Sequence, residues 1–191
     1  MKIAVLGWGS LIWQPKQLNI TGEKWYQDGP LLPLEFERVS LDGRLTLVIC
    51  PGYPEVISLY AISSFDNLNQ AIDNLRLREG TVTQHIGFYN FQSDNKQIKI
   101  ANESIFSNLF LWQRLTDIDA VIWTDLSPNF RERTQLEFTI DNVHTHLKKL
   151  SAESFQSAKQ YVENAPAQIN TKYRQEIQSI FDQLSHKSAE G

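Results

Sequence analysis

Two short segments carry residue types from which a reactive site can be built. Gly7-Trp8-Gly9-Ser10-Leu11-Ile12-Trp13 follows an apolar run, and Leu75-Arg76-Leu77-Arg78-Glu79-Gly80 closes a helical pattern. Glycines permit a tight turn and close backbone approach to a ligand, and successive free N–H groups in such a turn form a nest for an anion. A dinucleotide fingerprint needs a third glycine at position 12, where Ile12 stands, and a phosphate loop needs Gly-Lys-Ser/Thr, which this loop lacks. The loop therefore suits a carboxylate better than a nucleotide. Taken alone, the loop reads first as a strand-ending turn whose aromatics pack on the core, because motifs this short match often by chance.

Glu79 is the candidate catalytic residue. It stands at a helix C-terminus, where the macrodipole disfavours negative charge. A general base working near neutral pH calls for a carboxylate less acidic than the ordinary ~4.3. The plainer alternative is a surface glutamate paired with Arg76 or Arg78, a contact that contributes under ~1 kcal/mol. A functional base has to line a cleft beside Gly9 and Ser10, whereas a surface ion pair does not.

Other reactive types give less. Cys50 sits in an apolar strand before Pro51 and reads as a buried thiol, because a nucleophile needs an electropositive, partly exposed setting. His144 and His146 would share a face if extended, but two ligands without a third make a weak zinc signal, and no metal site is expected. His85 can line the same cleft as Glu79 or lie in a turn. Arg131-Glu132-Arg133 reads as a solvated face, and Trp112 and Trp123 as core or cleft wall, their indole N–H groups needing partners if buried.

These segments need elements to hold them. Ile3–Leu6 reads as an interior strand, followed by a loop over 7–14 and a turn-rich stretch over 15–33. From Leu34 the pattern alternates, with Leu34, Phe36 and Arg38 on one face and Glu35, Glu37 and Val39 on the other. Asp42-Gly43 signals a tight hairpin, returning along Leu45–Cys50. Val56–Ile62 reads as one further strand. Ser63-Ser64 can cap a helix carrying Leu68, Ile72 and Leu75, with Gly80 as its stop. Strands are expected near 84–91, 96–101 and 119–124. Beyond about Asp141 the strand signal fades. Ser151 can cap a helix through Val162, Pro166 breaks the chain, and Thr171 can cap a last helix with Ile177, Ile180, Phe181 and Leu184 on one face. The tail 185–191 is expected to fray. The fold class is α+β: a mixed, barrel-like sheet, a central helix and a helical C-terminal third.

The chain has 191 residues, which fits one domain of about 100–200 residues, with 141–186 as a helical extension. A chain of this size buries roughly two-thirds of its unfolded surface and needs no metal or disulfide to make a core. Hydrophobic residues are 41% and charged residues 21%, which excludes a disordered or fibrous chain. Eighteen Lys and Arg against 22 Asp and Glu give −4, with no like-charge block, so nucleic acid and anionic membrane are poor partners. The apolar stretch after Lys2 is too short for a signal peptide, and nothing approaches the ~18 apolar residues of a membrane span. A single cysteine allows no intramolecular disulfide and suits a reducing compartment. A cytoplasmic protein is the expectation.

Taken together, the order of these pieces resembles the γ-glutamylcyclotransferase-like family. The pieces are a strand into Gly-Trp-Gly-Ser-Leu, a hairpin, the strand Val-Ile-Ser-Leu-Tyr-Ala-Ile, and a helix closing on Leu-Arg-Leu-Arg-Glu-Gly with Tyr89 soon after. The Gly-x-Gly-Ser-Leu-Ile-Trp string is similar to the ChaC-type branch, as is Phe36–Ser40 with Arg38. The resemblance covers roughly residues 3–90. It implies that family's fold and an intramolecular aminolysis without cofactor: the α-amine of a γ-glutamyl group attacks its own γ-carbonyl, 5-oxoproline forms, and the attached amine or amino acid leaves. It implies Glu79 as general acid/base and Trp8, Gly9, Ser10 and Leu11 as the substrate-binding loop. Glutathione, γ-glutamyl amino acids and γ-glutamyl amines all fit as substrate. Two positions depart from the pattern: the family's tyrosine is Trp8, so its hydroxyl is lost, and the aspartate often three before the glutamate is Arg76. The alternative is a non-catalytic module of the same fold that binds a small carboxylate or a partner protein. The sequence does not specify an oligomeric state.

Overall fold

Five consecutive buried residues make β1, Ile3–Gly7, an interior strand. The computed structural model of the chain describes residues 1–100 and 102–189. In it β1 runs antiparallel to β5 (Leu59–Ile62) and parallel to β8 (Ala120–Thr124). The order is β5-β1-β8-β6-β7, with β6 at Ile86–Asn90 and β7 at Asn95–Gln97. A second sheet has the order β3-β2-β4, with β2 at Leu31–Val39, β3 at Leu45–Ile49 and β4 at Glu55–Ile57. The protein is therefore mixed α+β.

The barrel-like sheet expected from the sequence is not formed: the described residues make two sheets and no closed barrel. Two local causes are visible. The stretch Val56–Ile62, expected as one strand, breaks at Ser58, whose N–H and hydroxyl both donate to the Pro30 carbonyl at 3.1 and 2.7 Å. The chain changes sheet at that single residue. On β3, no second strand joins. The Leu47 carbonyl accepts the Trp8 indole N–H at 3.2 Å, and the Leu47 N–H donates to the Tyr161 hydroxyl at 3.4 Å. Side chains thus occupy backbone groups that a closing strand would need.

A bulge corrects a second expectation. Glu35 pairs with Val48 but Arg38 with Thr46, so two residues of β2 oppose one of β3. Past that point the alternation flips: Val39, not Arg38, joins Leu34 and Phe36 in the main core.

α1 (Leu68–Glu79) lays Ala71, Ile72 and Leu75 on Ile3, Val5, Ile86 and Ile122 of the five-stranded sheet. Its N-cap is Asn67, whose side chain accepts from the N–H groups of Asn69 and Gln70. The expected cap, Ser63, instead takes the Phe65 N–H. Gly80 ends the helix at φ 60°, its N–H turned back to the Arg76 and Leu77 carbonyls, a left-handed conformation that glycine adopts at little cost.

α2 (Glu103–Gln113) was not anticipated, although Ile105, Leu109 and Trp112 lie on its buried face. The strand expected over 96–101 stops at Gln97, and residue 101 lies outside the described residues. After β8 come α3 (Phe130–Thr134), α4 (Ile140–Leu147), α5 (Ala152–Asn164) and α6 (Arg174–Ala189). Ser151 caps α5 through the Ser154 N–H. Thr171 gives its hydroxyl to Glu35 at 2.8 Å rather than capping α6. The stretch expected to fray from 185 is helix as far as Ala189; residues 190 and 191 lie outside the described residues. Among the described residues, no helix is long and apolar enough to cross a membrane.

Candidate active site

Where β1 ends, the chain turns through Trp8–Leu11 and is locked by bonds from Ile12 N–H to the Gly9 carbonyl (3.0 Å) and Gln14 N–H to the Ser10 carbonyl (2.9 Å). The N–H groups of Gly9, Ser10 and Leu11 donate to nothing among the described residues. This loop lines a cavity of about 570 Å³. A second wall is the end of α1, with Glu79, Gly80 and Thr81, followed by His85. A third is the β2–β3 hairpin, with Arg38, Asp42, Arg44 and Thr46. Tyr161 of α5 and Thr124 at the end of β8 complete it.

Arg78 joins the first two walls. Its guanidinium donates to Glu79 Oε1 at 2.6 Å, to Ser10 Oγ at 3.3 Å and to the Gln14 carbonyl at 2.6 Å. The ion pair weighed as the plain alternative for Glu79 thus exists, but on a cavity wall. The side chains of Arg78 and Glu79 are only 6% and 17% exposed. At such burial the pair fixes a geometry rather than decorating a surface. Glu79 Oε2 accepts no hydrogen bond among the described residues.

The hairpin wall is cationic. Arg44 lies over the Tyr161 ring at 5.4 Å and 3.7 Å from Asp42. Burial works to raise the Asp42 carboxyl, but the Ser40 hydroxyl and Arg44 outweigh it and hold it below its ordinary value. Arg38 donates to the Ser127 carbonyl at 2.7 Å; burial holds its pKa below that of a free guanidinium. His85 is pushed down by burial and by the cations Lys99 and Arg38, so its imidazole is neutral at neutral pH. Its Nδ1 lies 2.6 Å from the Thr81 hydroxyl. Burial pushes the Tyr161 phenol up to about 12. Two atoms of the walls, Arg44 Nε and Thr124 Oγ1, are buried with no hydrogen-bond partner among the described residues. Polar atoms in that condition ask for a polar occupant or water.

All five residues singled out from the sequence, Trp8, Gly9, Ser10, Leu11 and Glu79, line this cavity. Trp8 takes part through its ring, since its N–H is bound to Leu47. Cys50 is buried away from the cavity, its thiol pushed up by burial and by Glu37 and Glu35. His144 and His146 lie on α4, where a spacing of two points side chains apart; His146 contacts the Gly43 carbonyl at 2.7 Å. Among the described residues no three His, Cys, Asp or Glu side chains are grouped to hold a metal ion.

Sequence reasoning missed the linking role of Arg78 and the whole contribution of Arg44, Asp42, Thr124 and Tyr161. Arg78 carried a signal, its place one residue from Glu79. Tyr161 carried none, because nothing in α5 says which loop it faces. No family model, curated protein or solved structure matches this chain.

Proposed function

We propose that the protein is a γ-glutamylcyclotransferase-type lyase acting on a small γ-glutamyl compound. One observation carries the reading: Glu79 and the Gly9-Ser10-Leu11 backbone face a common cavity and are tied together through Arg78. In this reading the substrate's α-amine, mostly protonated at pH 7, first yields its proton to Glu79. The free amine attacks the γ-carbonyl carbon; the ring C–N bond forms as the bond to the leaving amine breaks. The proton held by Glu79 passes to the leaving nitrogen; Glu79 then takes the second proton from the ring nitrogen, which leaves a neutral lactam, and gives it up to the released amine or to water. Arg78 holds one carboxylate oxygen and leaves the other without a donor among the described residues, as a shuttle requires. Holding amine and carbonyl in near-attack geometry is the largest available gain. The unpaired N–H groups of Gly9, Ser10 and Leu11 suit the developing oxyanion, where one donor contributes about 3–4 kcal/mol. The cytoplasm and small-molecule partners follow from this reading.

A second reading has its own observation. The Trp8 indole is committed to Leu47 and Glu79 is already paired, which also suits a module that holds a small carboxylate without turning it over. The test is 5-oxoproline release from glutathione, γ-glutamyl amino acids and γ-glutamyl amines, with Glu79→Gln beside the wild type. Turnover lost in the folded variant is the expected result. No release from any substrate by a well-folded wild type favours the binding module.

A further inference from the structure

Tyr161 belongs to α5, more than a hundred residues from the loop it meets. Its side chain is buried and lines the cavity. Its oxygen accepts the Leu47 N–H, but its own O–H finds no acceptor among the described residues. The hydroxyl is pressed against the loop: a β-carbon built at position 9 would lie 2.2 Å from it. The ring is held by Arg44 on its face and by edge contacts with Trp13 and Phe36 at 5.3 and 6.5 Å. A phenol titrating at about 12 keeps its proton throughout the neutral range, so the group is a donor and not a base. The charges of Glu79 and Arg78 also act on it, placing it in the same electrostatic field as the proposed base.

Resting on the function proposed above, we propose that Tyr161 is a catalytic residue that donates its O–H to the substrate's γ-carbonyl oxygen, beside the Gly9–Leu11 N–H groups. The hydroxyl stands against Gly9 and lines the same cavity as the loop whose N–H groups are unpaired, so an oxygen gaining negative charge beside that loop would have a neutral donor at hand. No bond to Tyr161 forms and its proton stays on it. The helical C-terminal third then supplies a residue to the site through Tyr161.

The experiment compares 5-oxoproline formation by the wild type and Tyr161→Phe on the best γ-glutamyl substrate. The expected result is a fall in kcat of about 10²–10³-fold, as for the loss of one oxyanion donor, with KM little changed and folding retained. A variant within threefold of wild type overturns the role and leaves the lyase reading intact. Absence of release by the wild type overturns that reading and this role with it. A second measurement replaces Tyr161 with a fluorinated, more acidic tyrosine. If the O–H donates, the high-pH limb of kcat moves to lower pH as the phenol ionises. An unmoved profile overturns the proposal, because a purely packing role is indifferent to that proton.

Discussion

At position 9 the backbone has no room for a side chain. A β-carbon there would stand 2.2 Å from the Tyr161 oxygen, closer than real structures allow, and 3.3 Å from its Cζ, a tight contact. Gly9→Ala must move either the loop or the tyrosine, and both carry proposed donors. A displacement near 1 Å can cost about a hundredfold in rate, and overpacking costs about 1–3 kcal/mol. The expected outcome is at least a tenfold loss of 5-oxoproline formation together with a lower melting temperature. Full activity with an unchanged melt would show that the close approach matters to neither. Some of this scale was legible beforehand. Glycine loop, serine and glutamate announce themselves by type, since few residues do their chemistry. The partners of those residues do not. Arg44, Thr124 and Tyr161 are ordinary residues until a wall brings them to one cavity.

At the scale of elements, the end of α5 is held by an unusual cap. Arg174, at the start of α6, is buried and donates to the carbonyls of Val162, Ala165, Pro166 and Ile169. Val162 and Ala165 lie in the last turn and at the C-cap of α5, where a helix end leaves carbonyls without intrahelical partners, and Pro166 and Ile169 follow in the connecting loop. The guanidinium fork suits them, and its burial holds its pKa below the ordinary guanidinium value. Arg174→Ala should destabilise the protein by about 3 kcal/mol or more, since several buried acceptors lose their donor. Denaturant unfolding checks this, and a loss under about 1 kcal/mol would mean that water replaces the guanidinium. Helices were readable where caps and apolar spacing agree, as at Ser151 and Gly80. They were missed where loop and helix blur: α2 carries its apolar face, but the preceding polar stretch resembles a strand. The β2 bulge was invisible, because it depends on how β3 pairs and not on β2 itself.

At the scale of the molecule, one buried carboxylate fastens the C-terminal third to the β2 sheet. Glu35 is inaccessible and accepts from the Phe36 N–H (2.9 Å), the Thr171 hydroxyl (2.8 Å) and the Tyr173 N–H (3.2 Å). Burial raises its carboxyl above the ordinary 4.5, against those three donors. Above 4.5 the unfolded chain has released this proton while the native protein still holds it. The native state binds more protons in that window, so stability falls as pH rises from 4.5 to the raised value and is unchanged by this group below it. Glu35→Gln should therefore show a shallower fall across that window in unfolding free energies taken at a series of pH values. Parallel curves for the two proteins would remove Glu35 from the account. Glu37 is raised in the same direction, also by burial first, and limits how flat the variant can become.

The sequence by itself determined the α+β class, the strand before the glycine loop, the helix that ends at Glu79 and Gly80, and five of the residues that line the cavity: Trp8, Gly9, Ser10, Leu11 and Glu79. These follow from local rules: apolar period, glycine conformation and cap chemistry act over a few residues. The tertiary structure alone decided that the sheets stay apart, that Arg78 bridges Ser10 and Glu79, and that Tyr161 faces Gly9. Each of those depends on the meeting of segments far apart in the chain. At the open edge of β3, Trp8 and Tyr161 hold the Leu47 backbone groups, and the proposed donor arrives on a helix whose own pattern records only that one face is buried.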